Sequence, residues 1–109
     1  MQRTYSKDVE IGKEVLLKGW VYEIRSLAKL SFILLRDMTG MIQCVILNPE
    51  LMEKVSELSL ESVIEIKGKA KKAQVKADFA RKDVEIEVSE INLISKAERK
   101  FQFLCGSFY

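Results

Sequence analysis

One segment of this chain, residues 48–60, spaces its apolar side chains as a helix does, whereas the apolar segments on both sides alternate as strands do. Asn48 can accept a hydrogen bond as the helix N-cap, and Pro49 suits the first helical position. The apolar residues of one helical face are Leu51, Met52, Val55 and Leu58. A helix this short is not stable alone, so we expect it to pack on a sheet.

Five segments are predicted to be strands, because they are rich in Val, Ile, Leu and aromatic residues. They are residues 14–26, 30–37, 41–47, 62–75 and 83–95. The turn that contains Gly40 joins the second and third strands as a hairpin, since glycine permits a positive φ there. Gly19 predicts a bend or bulge in the long first strand. In the last strand, the residues predicted to share one face are Val84, Ile86, Val88 and Ile91.

The order of these elements is three strands, one helix and two strands, which is the order of the OB-fold, a five-stranded Greek-key barrel. We therefore predict an all-β domain with one short helix between strands 3 and 4. Another small five-stranded barrel is the alternative, but the helix position and the long first strand favour the OB-fold. OB-folds bind oligonucleotides on the face of strands 2 and 3, although a fold alone does not determine function.

Composition narrows the class of protein: 109 residues suit one domain, and 48% apolar residues exclude a disordered chain. No apolar run approaches the roughly 20 residues that span a bilayer, and the first residues lack a signal sequence, so we expect a cytoplasmic protein without membrane contact. The chain has two cysteines and no histidine, which argues against a zinc site and removes the commonest general base. Cys44, in an apolar run, is expected to be a buried free thiol. We predict no metal, cofactor, small-molecule substrate or catalytic activity.

Positive charge is concentrated in residues 67–82, which carry seven basic side chains and one acidic side chain, whereas the whole chain has a net charge of +2. A local positive region on a nearly neutral protein suits phosphate binding. Lysines that protect the edges of a solvated hairpin are the alternative. The candidate phosphate-binding lysines are Lys69, Lys71, Lys72 and Lys76.

The second predicted strand, LSFILLRD, carries apolar side chains on both of its faces. One face of a strand normally meets the core and the other meets water. If Ile33 faces the core, Phe32 lies on the solvent-facing side of the strand. If the two faces of the strand are exchanged, Phe32 lies in the core. At the end of this strand, Arg36 and Asp37 are interpreted as an ion pair at the hairpin turn. Trp20, in the first strand, is interpreted as a core residue.

Three segments carry a compound motif: KGWVYEIR (18–25), LSFILLRDMTGMIQCVI (30–46) and DVEIEVSEINLISKAE (83–98). Together they resemble the N-terminal anticodon-binding domain of class IIb aminoacyl-tRNA synthetases. The archaeal and eukaryotic aspartyl type is most similar, the asparaginyl type comes next and the lysyl type is more distant. The family pattern runs G-W-V, Arg, F-x-x-L-R-D, Gly and Gln, and the resemblance covers residues 10–98. Its positions here are Gly19, Trp20, Val21, Arg25, Phe32, Leu35, Arg36, Asp37, Gly40 and Gln43.

The resemblance implies a role for four residues in binding an anticodon loop. Phe32 matches a position that stacks on the central anticodon base, a U, and Gln43 matches one that hydrogen-bonds a base edge. Glu85 matches a further position that reads the anticodon, and Arg25 matches one near the phosphates and bases of the loop. The chemistry agrees, because an exposed ring can stack on an unpaired base and an amide offers both a donor and an acceptor. Alternatively, Gln43 and Glu85 are ordinary polar residues of exposed strand faces.

The chain is thus interpreted as an OB domain, residues 1–98, followed by an apolar segment, residues 99–109, that is a tail or the remnant of a hinge to a catalytic domain. The implied function is binding of the tRNA anticodon loop without catalysis, because the class II catalytic motifs do not occur in the sequence. The implied partners are that loop and a synthetase catalytic domain, or a second copy through residues 99–109. The alternatives are a general single-stranded nucleic-acid binder and a protein-interaction module. Specificity for Asp, Asn or Lys tRNA stays open, as does the choice between an excised domain and a stand-alone protein.

Overall fold

The computed structural model describes residues 2–95, which form five strands, one α-helix and a short 3-10 helix at Ser6–Asp8. The larger elements are β1 (Glu14–Ser26), β2 (Ser31–Asp37), β3 (Gly40–Ile46), α1 (Pro49–Ser56), β4 (Val63–Lys72) and β5 (Ala80–Ser95). The strands close into a barrel in the order β1-β2-β3-β5-β4. The β3–β5 pair is parallel and the other four pairs are antiparallel.

This architecture confirms the predicted barrel with its helix between β3 and β4. The predicted boundaries differ mainly where β4 and β5 meet: β4 ends at Lys72 and β5 begins at Ala80. The helix also ends earlier than predicted, at Ser56. The predicted tail, residues 99–109, lies outside the described residues, so its role stays a prediction.

The barrel interior is filled by branched aliphatic side chains from all five strands. The bulkiest of the fully buried side chains are Leu17, Ile33, Leu35, Ile42, Ile46, Ile64, Ile66 and Ile86. The predicted inward face of β5 is confirmed, because Val84, Ile86, Val88 and Ile91 are all buried. Val88 and Ile91 lie three positions apart and still share this face, since the β4–β5 register shifts beside Ser89 and leaves it without a partner in the ladder.

The bulge predicted near Gly19 is found just beyond the glycine, and Gly19 itself has a further role. The register of β1 against β2 shifts between Val21 and Glu23, beyond the glycine. At Gly19 itself β2 comes so close that a Cβ atom would lie 2.2 Å from the carbonyl oxygen of Arg36. The glycine is therefore required by the approach of two strands and does not mark the bulge.

The helix α1 begins as predicted, because the Asn48 side chain accepts a 2.8 Å hydrogen bond from the backbone N–H of Glu50. Leu51 and Val55 are buried in the main core, and Met52 packs against it. The helix therefore contributes its apolar face to the barrel core. No helix within residues 2–95 is long and apolar enough to cross a membrane.

The N-terminal segment is fastened to the β2–β3 turn by Asp37, which is 4% exposed. Its carboxylate accepts hydrogen bonds from the backbone N–H and Oγ of Ser6, at 2.8 and 3.0 Å. It also accepts from the backbone N–H and hydroxyl of Thr39. Burial opposes the charge of Asp37, but the hydrogen bonds from Thr39 and Ser6 outweigh burial and hold its pKa below the ordinary value.

The predicted ion pair between Arg36 and Asp37 is wrong. The exposed Arg36 guanidinium lies over the rings of Trp20 and Tyr22, 5.6 and 6.0 Å from their centroids. Adjacent residues of a strand point to opposite faces, so Arg36 cannot reach the carboxylate that binds Ser6. Trp20, interpreted as a core residue, is only partly buried on this outer face.

Candidate nucleic-acid interface

The register of β2 places Phe32 on the outer face of the barrel. Ile33 and Leu35 point into the core and are 0% and 1% exposed. Phe32 is partly buried and lines an open cavity on the outside of the barrel. The prediction that Phe32 lies on the solvent-facing side of β2 is confirmed, and the alternative in which Phe32 belongs to the core is excluded.

The cavity beside Phe32 has a volume of about 330 Å³ and is built across three neighbouring strands. Arg25 of β1 is the register partner of Phe32, and Gln43 of β3 is the register partner of Leu34. These side chains line the cavity together with Glu23 of β1. The strand pairing thus brings Arg25, Phe32 and Gln43 to one place, as the resemblance implied.

Glu85 joins this group through the parallel pairing of β3 with β5, in which it is the register partner of Gln43. The Nε2 atom of Gln43 donates a 2.6 Å hydrogen bond to Oε2 of Glu85. The hydrogen bond fixes the orientation of the Gln43 amide, because Nε2 must face Glu85. The Oε1 atom at the other end of the amide can then accept a hydrogen bond from a ligand. Behind the pair, burial and the charge of Glu85 raise the pKa of the Cys44 thiol, which is free and buried as predicted.

The segment between β4 and β5 forms the remaining wall of the cavity with Gln74 and Lys76. It is held at its base by hydrogen bonds from the backbone N–H groups of Ala73 and Val75 to carbonyl groups of β5, at 3.2 and 3.0 Å. A small apolar cluster outside the barrel fixes it against β2 and β3. The buried members of this cluster are Leu34, Met41, Val75 and Ala80.

Sequence reasoning missed Glu23 and Gln74 as lining residues. Gln74 lies beyond the end of β4, in a segment without a periodic pattern, so no sequence signal places it. Glu23 follows the register shift in β1, which turns it toward the cavity. The sequence offered only an indirect signal that some segment covers this face, because the apolar Leu34 shares the outer face with Phe32 and an apolar side chain there needs a covering segment.

The four predicted lysines do not form one patch. Lys76 lines the cavity, whereas Lys69 lines a separate cavity near the start of α1. Lys71 pairs with Glu87 of β5, and Lys72 is exposed at the end of β4. Glutamates of the adjacent strand thus offset part of the positive charge, and the cations at the Phe32 cavity are Arg25 and Lys76.

Within residues 2–95, no group of three or more acidic, cysteine or histidine side chains is placed to hold a metal ion.

A closed barrel of this topology, with a polar and aromatic cavity on its β1–β3 face, defines an OB-fold nucleic-acid-binding domain. Residues 15–94 match the family described as the OB-fold nucleic acid binding domain of the tRNA anticodon type. The chain therefore belongs to this family, as the anticodon-binding OB domain of the kind found in aspartyl- and asparaginyl-tRNA synthetases.

Relatives and solved structures agree with this assignment. The chain is 42% identical over 101 residues to an aspartate–tRNA(Asp/Asn) ligase of Methanococcus maripaludis, covering 86% of this chain and 22% of that protein. It is 40% identical over 91 residues to an aspartate–tRNA ligase of Lactobacillus johnsonii, covering 80% and 15%. It superposes on asparaginyl-tRNA synthetase from Pyrococcus horikoshii with a TM-score of 0.77 and 28% identity, covering 90% of this chain and 23% of that one. The chain thus spans less than a quarter of the length of each of these proteins.

Proposed function

We propose that the domain binds the anticodon loop of a tRNA on the outer face of β1–β3, with the central base stacked on Phe32. The observation that carries the proposal is the assembly of Arg25, Phe32 and Gln43 in one cavity, with Glu85 bonded to the amide. An unpaired loop base offers a π-face to the ring and a polar edge to the amide. The domain performs no chemistry, and it would act as part of an aspartyl- or asparaginyl-type synthetase in the cytoplasm.

The preference for a central U follows from the orientation of the Gln43 amide. Uracil presents an N3–H donor next to a carbonyl acceptor, which matches the Oε1 acceptor and the remaining Nε2 hydrogen of Gln43. Where uracil presents O4 and N3–H, cytosine presents an N4 donor and an N3 acceptor, so cytosine in the same position requires a flipped amide. A flipped amide would place Oε1 against the Glu85 carboxylate, which lies 2.6 Å from Nε2, and would lose that hydrogen bond.

The first experiment is a fluorescence titration of anticodon stem-loops that differ only in a central U or a central C. We expect the U loop to bind more tightly by roughly 1–3 kcal/mol, the scale of losing one buried hydrogen bond. Phe32→Ala should weaken binding of the U loop by about 1–3 kcal/mol, the value of one base–aromatic stack. Met38→Ala is the matched control, since Met38 is an exposed apolar residue outside the cavity.

Equal binding of the two loops, with affinity that depends on salt alone, would instead support a general single-stranded nucleic-acid binder. The Gln43–Glu85 pair argues against that alternative, because a carboxylate in the site repels phosphate, whereas it can orient the Gln43 amide toward a base edge. A protein-interaction role through residues 99–109 stays a prediction that gel filtration of the full and shortened chains would test.

A further inference from the structure

The start of β5 contains an irregular segment, residues 81–84, where its pairing with β3 is interrupted. On one side of this segment Ala80 is the register partner of Met41, and on the other side Glu85 is the register partner of Gln43. Between these two pairs β3 has a single residue, whereas β5 has four. The irregular segment therefore adds three residues to β5 relative to a regular ladder.

The added residues determine which side chain faces the Gln43 amide. In a regular ladder the residue two positions after Ala80, which is Lys82, would stand opposite Gln43. An ammonium group only donates hydrogen bonds, so it could not accept one from Nε2. The irregular segment instead brings the Glu85 carboxylate to this place, where it accepts the 2.6 Å hydrogen bond. The orientation of the amide thus depends on the shape of the irregular segment.

The Arg81 guanidinium holds the irregular segment through four hydrogen bonds. Its Nε and Nη2 atoms donate to the two carboxylate oxygens of Asp83, at 3.2 and 2.8 Å. Its Nη1 atom donates to the carbonyl oxygens of Val9 and Ser6, at 2.6 and 3.2 Å. A planar, rigid fork of donors can bind both sets of acceptors at once, which a flexible ammonium group cannot do. Arg81 therefore joins the irregular segment to the N-terminal segment.

The N-terminal segment provides a fixed support for this contact. Val9 is 3% exposed and belongs to the main core cluster. Ser6 is 1% exposed and is bound through its backbone N–H and its hydroxyl to Asp37. The two carbonyl groups that accept from Arg81 are thus anchored independently of β5.

We propose that Arg81 is a positioning residue for base reading, because it holds the irregular segment in the shape that brings Glu85 to the Gln43 amide. Its hydrogen bonds use four of its five N–H groups, and it does not line the Phe32 cavity. It therefore acts through Glu85 and makes no contact with the ligand. Its effect on binding rests on the proposed function, whereas its effect on the Gln43 amide is a property of the protein without tRNA.

Three variants of the full chain test the proposal. Arg81→Met keeps an unbranched apolar stem and removes all four hydrogen bonds. Arg81→Lys is the milder change, since a lysine keeps the charge but cannot bind Asp83 and the two carbonyl groups together. Arg3→Met is the matched control, because Arg3 also donates to a backbone carbonyl, that of Lys18 at 2.8 Å, but on β1.

The first measurement is the NMR resonance of the Gln43 side-chain amide in the absence of tRNA, assigned with Gln43→Ala. Glu85→Gln gives the position of this resonance without the carboxylate acceptor. We expect Arg81→Met to move the resonance toward that position, Arg81→Lys to move it less, and Arg3→Met to leave it in place. An unmoved resonance in Arg81→Met refutes the proposal, and Arg81→Lys decides in the same way if Arg81→Met does not fold. Equal movement in Arg3→Met also refutes it.

The second measurement is the ratio of the dissociation constants for stem-loops with a central C and a central U. We expect Arg81→Met to lower this ratio by about 2- to 10-fold, and to have no further effect when Glu85→Gln is already present. A wild-type ratio in Arg81→Met, with the resonance moved, would show that Arg81 has no role in base reading. If the wild-type protein itself binds both loops equally, the proposed preference for U fails, and the resonance alone decides whether Arg81 positions the pair.

Discussion

At the scale of single residues, the hydrogen bond between Gln43 and Glu85 determines how a base edge is read. We predict that Glu85→Gln reduces the preference for a central U over a central C, because the Gln43 amide can then flip without facing a carboxylate. Stacking on Phe32 is unaffected, so the U loop should still bind. The measurement is the ratio of the two dissociation constants in wild type and variant.

Glu90→Gln is the control for this change, since Glu90 pairs with Lys67 at 3.5 Å on an exposed part of the β4–β5 face. It removes the same charge from the same strand and should leave the ratio unchanged. An unchanged ratio in Glu85→Gln would mean that another group orients the Gln43 amide.

Phe32 and Gln43 on β2 and β3 were predictable as site residues, whereas Glu23 beyond the register shift of β1 and Gln74 in the loop were not. Alternation put Phe32 on the face opposite Ile33 but left open which of the two faces meets the core, and the structure decides this because Ile33 is buried. The resemblance then implied that Phe32 and Gln43 belong to one site with Glu85. Gln74 was not predictable, because the path of its loop depends on the contact of Val75 with β2 and β3, which no local pattern encodes.

At the scale of elements, Asp37 joins the N-terminal segment to the β2–β3 turn. Because its pKa is lowered in the folded protein, its contribution to stability is fully present above the ordinary pKa of about 3.8. That contribution is lost as the pH falls through the lowered folded pKa. We predict that the free energy of unfolding decreases below about pH 4, and that Asp37→Asn flattens this dependence and costs about 1–3 kcal/mol at pH 7.

Urea unfolding at a series of pH values measures both effects of the Asp37 change. Glu57→Gln, an exposed change at the end of α1, should retain the wild-type pH profile. A wild-type profile in Asp37→Asn would show that the hydrogen bonds to Ser6 and Thr39 do not stabilise the folded state.

The closure of the barrel at Gly19 is a second feature of this scale. Gly19→Ala would place a Cβ atom 2.2 Å from the Arg36 carbonyl oxygen, so β1 and β2 must separate. We predict that the free energy of unfolding decreases by about 1–3 kcal/mol, the usual cost of an overpacked core. Glu14→Ala, an exposed change in the same strand, should have little effect. A stable Gly19→Ala domain would mean that the barrel tolerates a wider β1–β2 spacing.

Element types were predictable because α1 and the strands differ in apolar period, and the N-cap at Asn48 is a local signal. The role of Gly19 was not predictable, because it depends on the β2 backbone, which is distant in sequence. The interpretation of Arg36 failed for a related reason. Proximity along the chain suggested a pair with Asp37, whereas the pleat directs the two side chains to opposite faces.

At the scale of the whole molecule, the distribution of charge determines how binding responds to salt. The sequence suggested that all four candidate lysines and Arg25 contact phosphate, which predicts a slope of about −3.5 in log K against log salt. Of the basic residues within 2–95, only Arg25 and Lys76 line the Phe32 cavity, and Lys71 is paired with Glu87. Two cations predict a slope of about −1.4.

We therefore expect the slope for the U stem-loop to lie near the lower value, measured by titration over a range of salt concentrations. Lys76→Ala should reduce its magnitude by about 0.7, because one phosphate contact is lost. Lys69→Ala is the matched control and should not change it, since Lys69 lines a separate cavity near α1. A slope near −3.5 that falls equally in both variants would mean that the tRNA extends along β4, so the interface would be larger than the β1–β3 face.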